Sequence, residues 1–259
     1  MVRGYIVCMQ KYKLIIAYDG TDFFGWQQQK NLPTVAGTLQ DRFFFVFRKK
    51  ISIMGVSRTD AGVHADGQVA QFSVDLQVEP EKMLKAWSNQ LSPEIVIKKL
   101  ELVDDNFHLH KNIQEKIYHY NIFLKRPLPN VQRFGWYFGY PVDLEKLKQA
   151  LEVFVGTHDF RSFCTGDERS DTVRTISKVS VNFVSEFRCW QIAVHGPKFL
   201  HYMVRRVVGA CVEVASREFL PVSCLQEALA QKDPQQTLPK APAKGLVLHK
   251  VIYKDAKRI

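Results

Sequence analysis

Twice along this 259-residue chain, strand-like alternation gives way to helical periodicity in the same order. Each pass reads strand, helix, strand, strand, helix, strand, and that recurrence constrains the fold more than any single residue. In the first pass Tyr12–Tyr18 sets Tyr12, Leu14, Ile16 and Tyr18 on one face of a strand. Thr38–Lys49 carries Leu39, Phe43, Val46 and Phe47 at helical spacing. Ile51–Val56 and Gln68–Val74 read as strands, and Pro80 opens a helix to about Leu91 with Leu84, Trp87 and Leu91 inward. Ile95–Val103 closes the half.

In the second pass Ile117–Leu124 is the first strand, and Asp143 caps a helix bearing Leu144, Leu147, Leu151 and Phe154. Val173–Val184 and Phe187–His195 read as a hairpin around Ser185-Glu186. Helices at Phe199–Ala215 and Val222–Ala230 precede a last strand, Leu246–Tyr253. The halves share an order of elements and no visible identity. The prediction is an α+β protein of two units, residues 1–112 and 113–259, each with the β-α-β-β-α-β order of a ferredoxin-like unit. Arg126–Pro141 and Gly166–Val173 are the long connections, and the aromatic run Arg133–Tyr140 reads as a loop-to-strand segment packing its own rings.

The chain is 46% hydrophobic and 24% charged, which fits a well-cored protein rather than a disordered one. Its 36 Lys and Arg against 26 Asp and Glu leave a net charge of +10, mostly in the second half. A basic surface recruits polyanions, nucleic acid among them; the alternative is plain solubility charge. Five widely spaced cysteines (Cys8, Cys164, Cys189, Cys211, Cys224), without a CxxC pair, fit neither a disulfide framework nor a zinc site. His108-x-His110 lacks partners at ligand spacing, so no metal is expected. No apolar run reaches membrane-spanning length, and Met1–Gln10 lacks the core of a signal peptide. The expected setting is the cytoplasm, with no membrane.

Between two strand-like runs stands Ser57-Arg58-Thr59-Asp60-Ala61-Gly62-Val63-His64-Ala65. A bare Thr-Asp-x-Gly reads as a tight turn, with Gly62 at positive φ. An ionised Asp60 beside Arg58, held between two strands, is also a candidate nucleophile. The whole string resembles the signature loop of the tRNA pseudouridine synthase A family, Gly-Arg-Thr-Asp-Ala-Gly-Val-His-Ala, with Ser57 as its one departure. The likeness runs over roughly residues 12–254. It includes Tyr18-Asp19-Gly20-Thr21, Phe24-Gly25-Trp26-Gln27, Gly156-Thr157-His158-Asp159-Phe160-Arg161-Ser162-Phe163 and Arg174-Thr175-Ile176.

The resemblance implies an isomerase that breaks the glycosidic bond of uridine and remakes it at a base carbon. Such a reaction is redox-neutral and needs no cofactor, and no Walker A loop or dinucleotide fingerprint is present. By the same resemblance Asp60 is the catalytic nucleophile. Lys116-Ile117-Tyr118-His119-Tyr120 resembles the family's basic-x-Tyr-x-Tyr strand, which makes Tyr118 the catalytic and base-stacking residue; from pattern alone Tyr118 and Tyr120 are equally a pair of core aromatics. Phe199–Gly209 resembles Phe-x-x-x-Met-Val-Arg-x-x-Val-Gly, which makes Arg205 the cation that keeps Asp60 ionised. Arg205 also borders the apolar stripe of a core helix, where a guanidinium needs a partner. Arg58 is assigned to the flipped-out nucleotide, and Leu246, in Lys244-Gly245-Leu246-Val247-Leu248, to the target uracil.

The family architecture adds two halves joined through their sheets, with an RNA-binding cleft between them. It also implies a homodimer acting on uridines 38, 39 and 40 in the anticodon stem-loop of tRNA. His110 stands where the family usually has Arg, and Lys116 replaces an Arg fork by a point charge. The rival readings are a non-catalytic RNA-binding module and a pseudouridine synthase with other RNA targets.

Overall fold

The computed structural model describes residues 9–165 and 171–254, so Cys8 and residues 166–170 of the predicted connection lie outside it. The chain divides into two units, residues 1–111 and 112–259. Among the described residues it is an α+β protein with five α-helices, none long and apolar enough to cross a membrane.

The first unit runs β1 (Gln10–Tyr18), α1 (Val35–Phe47), β2 (Met54–Gly55), β3 (His64–Val74), α2 (Pro80–Ser88) and β4 (Ile95–Val103). Its strands lie in the order β4-β1-β3-β2, all antiparallel. The alternation read for β1 is what buries Tyr12, Leu14, Ile16 and Tyr18. Below them Phe43 packs edge-on to Phe72 and Trp87, at 5.4 and 4.9 Å between ring centres. The buried Trp87 indole donates to the Leu39 carbonyl at 3.1 Å.

Helix α1 starts three residues before the predicted Thr38. Its first amides are all satisfied: Val35 donates to the Gly25 carbonyl, Ala36 to that of Trp26, and Gly37 and Thr38 to the side chain and carbonyl of Thr34. A helix begins where its orphan donors find acceptors, and Thr34 supplies two of them. Helix α2 ends at Ser88 rather than Leu91 and buries Met83 and Trp87 instead of Leu84 and Leu91.

The second unit runs β5 (Ile113–Phe123), β6 (Trp136–Tyr137), α3 (Leu144–Glu152), β7 (Gly156–Asp159), β8 (Val173–Ile176), β9 (Lys178–Val184), β10 (Cys189–Gly196), α4 (Met203–Ser216), α5 (Ser223–Gln231) and β11 (Leu246–Tyr253). Its main sheet has the order β11-β5-β10-β9, antiparallel, with β6 parallel on the end of β5 and β7–β8 a separate pair. The predicted single strand Val173–Val184 breaks at Ser177, whose N–H donates to the His195 carbonyl. Asp143 caps α3 through the amides of Glu145 and Lys146, as the sequence predicts. Helix α4 begins at Met203, not Phe199, because Tyr202 takes a left-handed φ of 62° that no helix continues through. The aromatic connection packs as a ladder, Trp136 on Phe138 and Phe138 on Tyr140.

Because Phe43 has three aromatic neighbours and no exposure, Phe43→Ala is expected to cost about 3–5 kcal/mol. Urea unfolding reads this directly, and a loss under about 1 kcal/mol would mean the first unit's core lies elsewhere.

Candidate active site

Asp60 sits half-buried in the loop between β2 and β3, while Arg58 beside it is exposed. The turn foreseen from Thr-Asp-x-Gly is present: the Val63 amide donates to the Asp60 carbonyl at 3.2 Å, and Gly62 has φ 77°. That turn does not stand alone. The Thr59 carbonyl accepts from the Trp26 amide at 3.1 Å, and the Thr59 hydroxyl meets the Tyr18 hydroxyl at 2.7 Å. The Gly62 amide donates to the Phe23 carbonyl, and the Gly20 amide to His64 Nδ1 at 3.0 Å. On the upstream side the buried Gln68 amide exchanges two hydrogen bonds with the Ser57 backbone. Ser57 does not have positive φ, so the family's usual glycine is not needed there for its conformation.

Residues 20–26 thus form a backing layer, and two glycines make the contact possible. A Cβ on Gly20 would lie 2.0 Å from the Val63 carbonyl oxygen. One on Gly25, at φ 89°, would lie 2.5 Å from the Thr59 carbonyl oxygen. The loop that presents Asp60 is therefore fixed through its backbone on both flanks.

In the second unit the alternation of β5 puts Lys116, Tyr118, Tyr120 and Ile122 on one buried face. The two tyrosines divide as the pattern allows. Tyr120 is fully buried, donates its hydroxyl to the Pro242 carbonyl at 2.7 Å and fills the space left by Gly245. Burial raises its phenol pKa well above the ordinary value, with Arg205 opposing. Tyr118 keeps 8% exposure, lies in register with Leu248 and Val194, and meets Phe199 edge-on at 5.1 Å. Leu246 is buried one rung along, opposite Tyr120.

Arg205 is buried on the first turns of α4. Its Nε donates to the Ala241 carbonyl at 2.9 Å, and the Ala241 amide donates back to the Arg205 carbonyl at 2.9 Å. Gly209 admits this strap, since a Cβ there would lie 2.2 Å from the Pro239 carbonyl oxygen. The guanidinium lies 5.2 Å from the Tyr202 ring, which also carries Lys240 Nζ at 3.7 Å. Arg206 reaches Thr165 Oγ1 at 3.3 Å, and His110 is exposed.

Sequence reasoning missed the backing loop's role, the strap of Pro239–Ala241 and the burial of Lys116. The last was readable, because a lysine two residues before Tyr118 on a buried face must be buried too. Burial first, and then the charge of Lys198, push the Lys116 pKa down to about 8.

Gly25→Ala is expected to cost about 2 kcal/mol or more in urea unfolding, against little for Gly139→Ala, whose φ is ordinary. An equal, small effect at both positions would dissolve the backing role of residues 20–26. For Lys116 the folded pKa lies below the unfolded one, so between about pH 8 and 10.5 the unfolded chain binds the extra proton and stability rises with pH. Lys116→Met is therefore expected to raise the unfolding free energy from urea titration at pH 7, by an amount on the order of 3 kcal/mol, and to lose that advantage near pH 10.5. A pH-independent difference would contradict the burial of a charged ammonium.

Comparison with known proteins places this arrangement. Residues 14–110 and 150–254 match the tRNA pseudouridine synthase family. The tRNA pseudouridine synthase A of Thermotoga neapolitana is 36% identical over 248 residues, spanning 95% of this chain and all of the relative. Those of Pseudothermotoga lettingae and Brevibacillus brevis are 37% and 38% identical over the same length and coverage. With its signature loop fixed at the Thr59–Asp60 turn and its likeness running nearly end to end, this chain belongs to the tRNA pseudouridine synthase family.

Proposed function

We propose that this protein isomerises uridine to pseudouridine in the anticodon stem-loop of tRNA, at positions 38, 39 and 40, with Asp60 as nucleophile. The observation that supports the reading is the Asp60 loop, whose backbone is clamped at Thr59, Gly62 and Ser57. The reaction breaks the bond between the ribose carbon and the base nitrogen and forms one to the neighbouring base carbon. That carbon loses its proton and the freed nitrogen gains one, so atoms and electrons balance without a cofactor. A carboxylate that adds to the nucleotide and later leaves splits this exchange into two easier steps.

The family pattern assigns Tyr118 and Arg205 to the same nucleotide as Asp60. Tyr118 offers a ring against which a flipped uracil stacks, and its hydroxyl is the candidate acceptor for the base proton. Arg205 favours the ionised carboxylate, Arg58 holds the displaced nucleotide, and Leu246 packs on the uracil. Each unit has strand order 4-1-3-2 when its main-sheet strands are counted in sequence, which supports reading both as ferredoxin-like. Homodimerisation and a cytoplasmic setting complete the proposal, on family likeness alone.

The deciding experiment is pseudouridine formation on tRNA by Asp60→Ala and Asp60→Asn. Turnover is expected to fall at least about 10³-fold with tRNA affinity nearly unchanged. Near-normal product from Asp60→Ala would sink the assignment; loss of affinity in step with activity would favour a binding module. Tyr118→Phe is expected to bind tRNA normally and turn over about 10²-fold more slowly, and single-turnover kinetics separate the two.

A further inference from the structure

Two neighbours make opposite demands on one nitrogen of His64. This residue opens β3, four places after the candidate nucleophile, and is 3% exposed. Its Nδ1 accepts from the Gly20 amide at 3.0 Å. Asp19 Oδ1, an acceptor, stands 3.2 Å from the same atom. A ring nitrogen carries either a lone pair or a hydrogen, so Nδ1 serves Gly20 or Asp19 and not both. Which one it serves decides where the ring carries its proton.

The surroundings favour Gly20. Its carbonyl accepts from the Phe23 amide, and a Cβ on it would lie 2.0 Å from the Val63 carbonyl oxygen. Backbone packed that closely on Val63 has no room to turn its amide to another acceptor. A hydrogen on Nδ1 would set two N–H groups against each other and leave a buried donor unmade. Asp19 is differently placed. Its Oδ1 accepts from the Thr21 amide at 3.0 Å and from the Thr21 hydroxyl at 2.6 Å, and its side chain keeps 14% exposure against 4% for His64. The ring that satisfies the buried amide is the neutral one with its hydrogen on Nε2.

The bond has a consequence for Asp60. Thr59 holds the start of the signature loop to Trp26 and Tyr18, and Gly62 holds its middle to Phe23. His64 adds a third hold at the end, made by a side chain to the first residue of the backing layer. We propose that His64 is a positioning residue for Asp60, acting as the neutral Nε2–H tautomer whose Nδ1 anchors the Gly20 amide. The Thr21 bonds occupy Asp19, so that it does not claim that nitrogen. The positioning role rests on the function proposed above; the tautomer does not.

NMR of the full chain carrying 15N-labelled histidine reads the tautomer without a mutation, and the signals lost in H64N identify the ring. A protonated Nε2 and a bare Nδ1 are expected at neutral pH; a hydrogen on Nδ1 would overturn the proposal. The positioning role is read by single-turnover pseudouridine formation and tRNA affinity for wild type, H64N, H64Q and H64L. Asparagine carries its amide oxygen where Nδ1 stands, glutamine carries it one bond further out, and leucine has none. H64N is expected within about threefold of the wild-type rate, and H64Q and H64L about tenfold or more below it, all with tRNA affinity near wild type. H64N as slow as H64Q, or H64L as fast as wild type, would overturn the role. Where H64L does not fold, H64N against H64Q carries the comparison. A wild type that makes no product rejects the isomerase reading alone, and exchange of the Gly20 amide then decides the tether. Faster exchange in H64Q than in H64N supports it, and equal exchange overturns it.

Discussion

The Thr59 carbonyl, accepting from the Trp26 amide, is the interaction on which the Asp60 loop depends. Trp26 is buried, and its own carbonyl accepts from Ala36 in the first turn of α1. Gly25 is held likewise by Val35. The orphan amides of α1 thus grip the backing loop, and the backing loop grips the residue before the candidate nucleophile. A helix N-terminus commonly spends those donors on caps or ligands. Here the amides of Val35 and Ala36 are spent on fixing a loop, and the Thr34 side chain accepts from Gly37.

The second unit solves a different problem, since its candidate residues are a cation and an aromatic ring rather than a turn. Arg205 is buried yet secured by Ala241 and Tyr202, and the Tyr202 that it faces sits in a left-handed conformation unfavourable for a ring-bearing residue. Lys116 is charged at neutral pH in surroundings that push its pKa down. One left-handed ring-bearing residue, Tyr202, and one lysine with a lowered pKa, Lys116, thus stand close in sequence to Arg205 and Tyr118.

Much of this was legible in the sequence, and the reasons differ by element. The face of β1 was readable because period-2 alternation and burial are the same fact. Asp143 was readable as a cap because its side chain acts on amides only two and three residues away. The start of α1 was not, since its acceptors, Gly25 and Trp26, lie ten residues upstream and act through backbone that carries no side-chain signature. The start of α4 was missed for a related reason: nothing in Tyr202 itself announces a positive φ. Ser57 departs from the family's glycine, yet its φ is not positive and its backbone bonds go to Gln68, so the departure needs no left-handed conformation. The strap at Pro239–Ala241 escaped because only Gly209, on another element, shows that something must come close.

Strand β5 joins these threads, because it acts as a ruler of graded polarity. Alternate residues on one face of a strand stand about 7 Å apart. Lys116, Tyr118 and Tyr120 are successive rungs: a lysine and a ring exposed to the same small extent, then a sealed ring whose hydroxyl is hydrogen-bonded. That order of side chains holds as long as the strand keeps its register with β10 and β11. Gly196 and Gly245 help to keep it, one by letting β8 and Phe199 close on the strand's end, the other by letting the chain cross the Tyr120 ring. Side-chain identity at three positions and close approach at two glycines together define this face of β5, and neither is sufficient without the other.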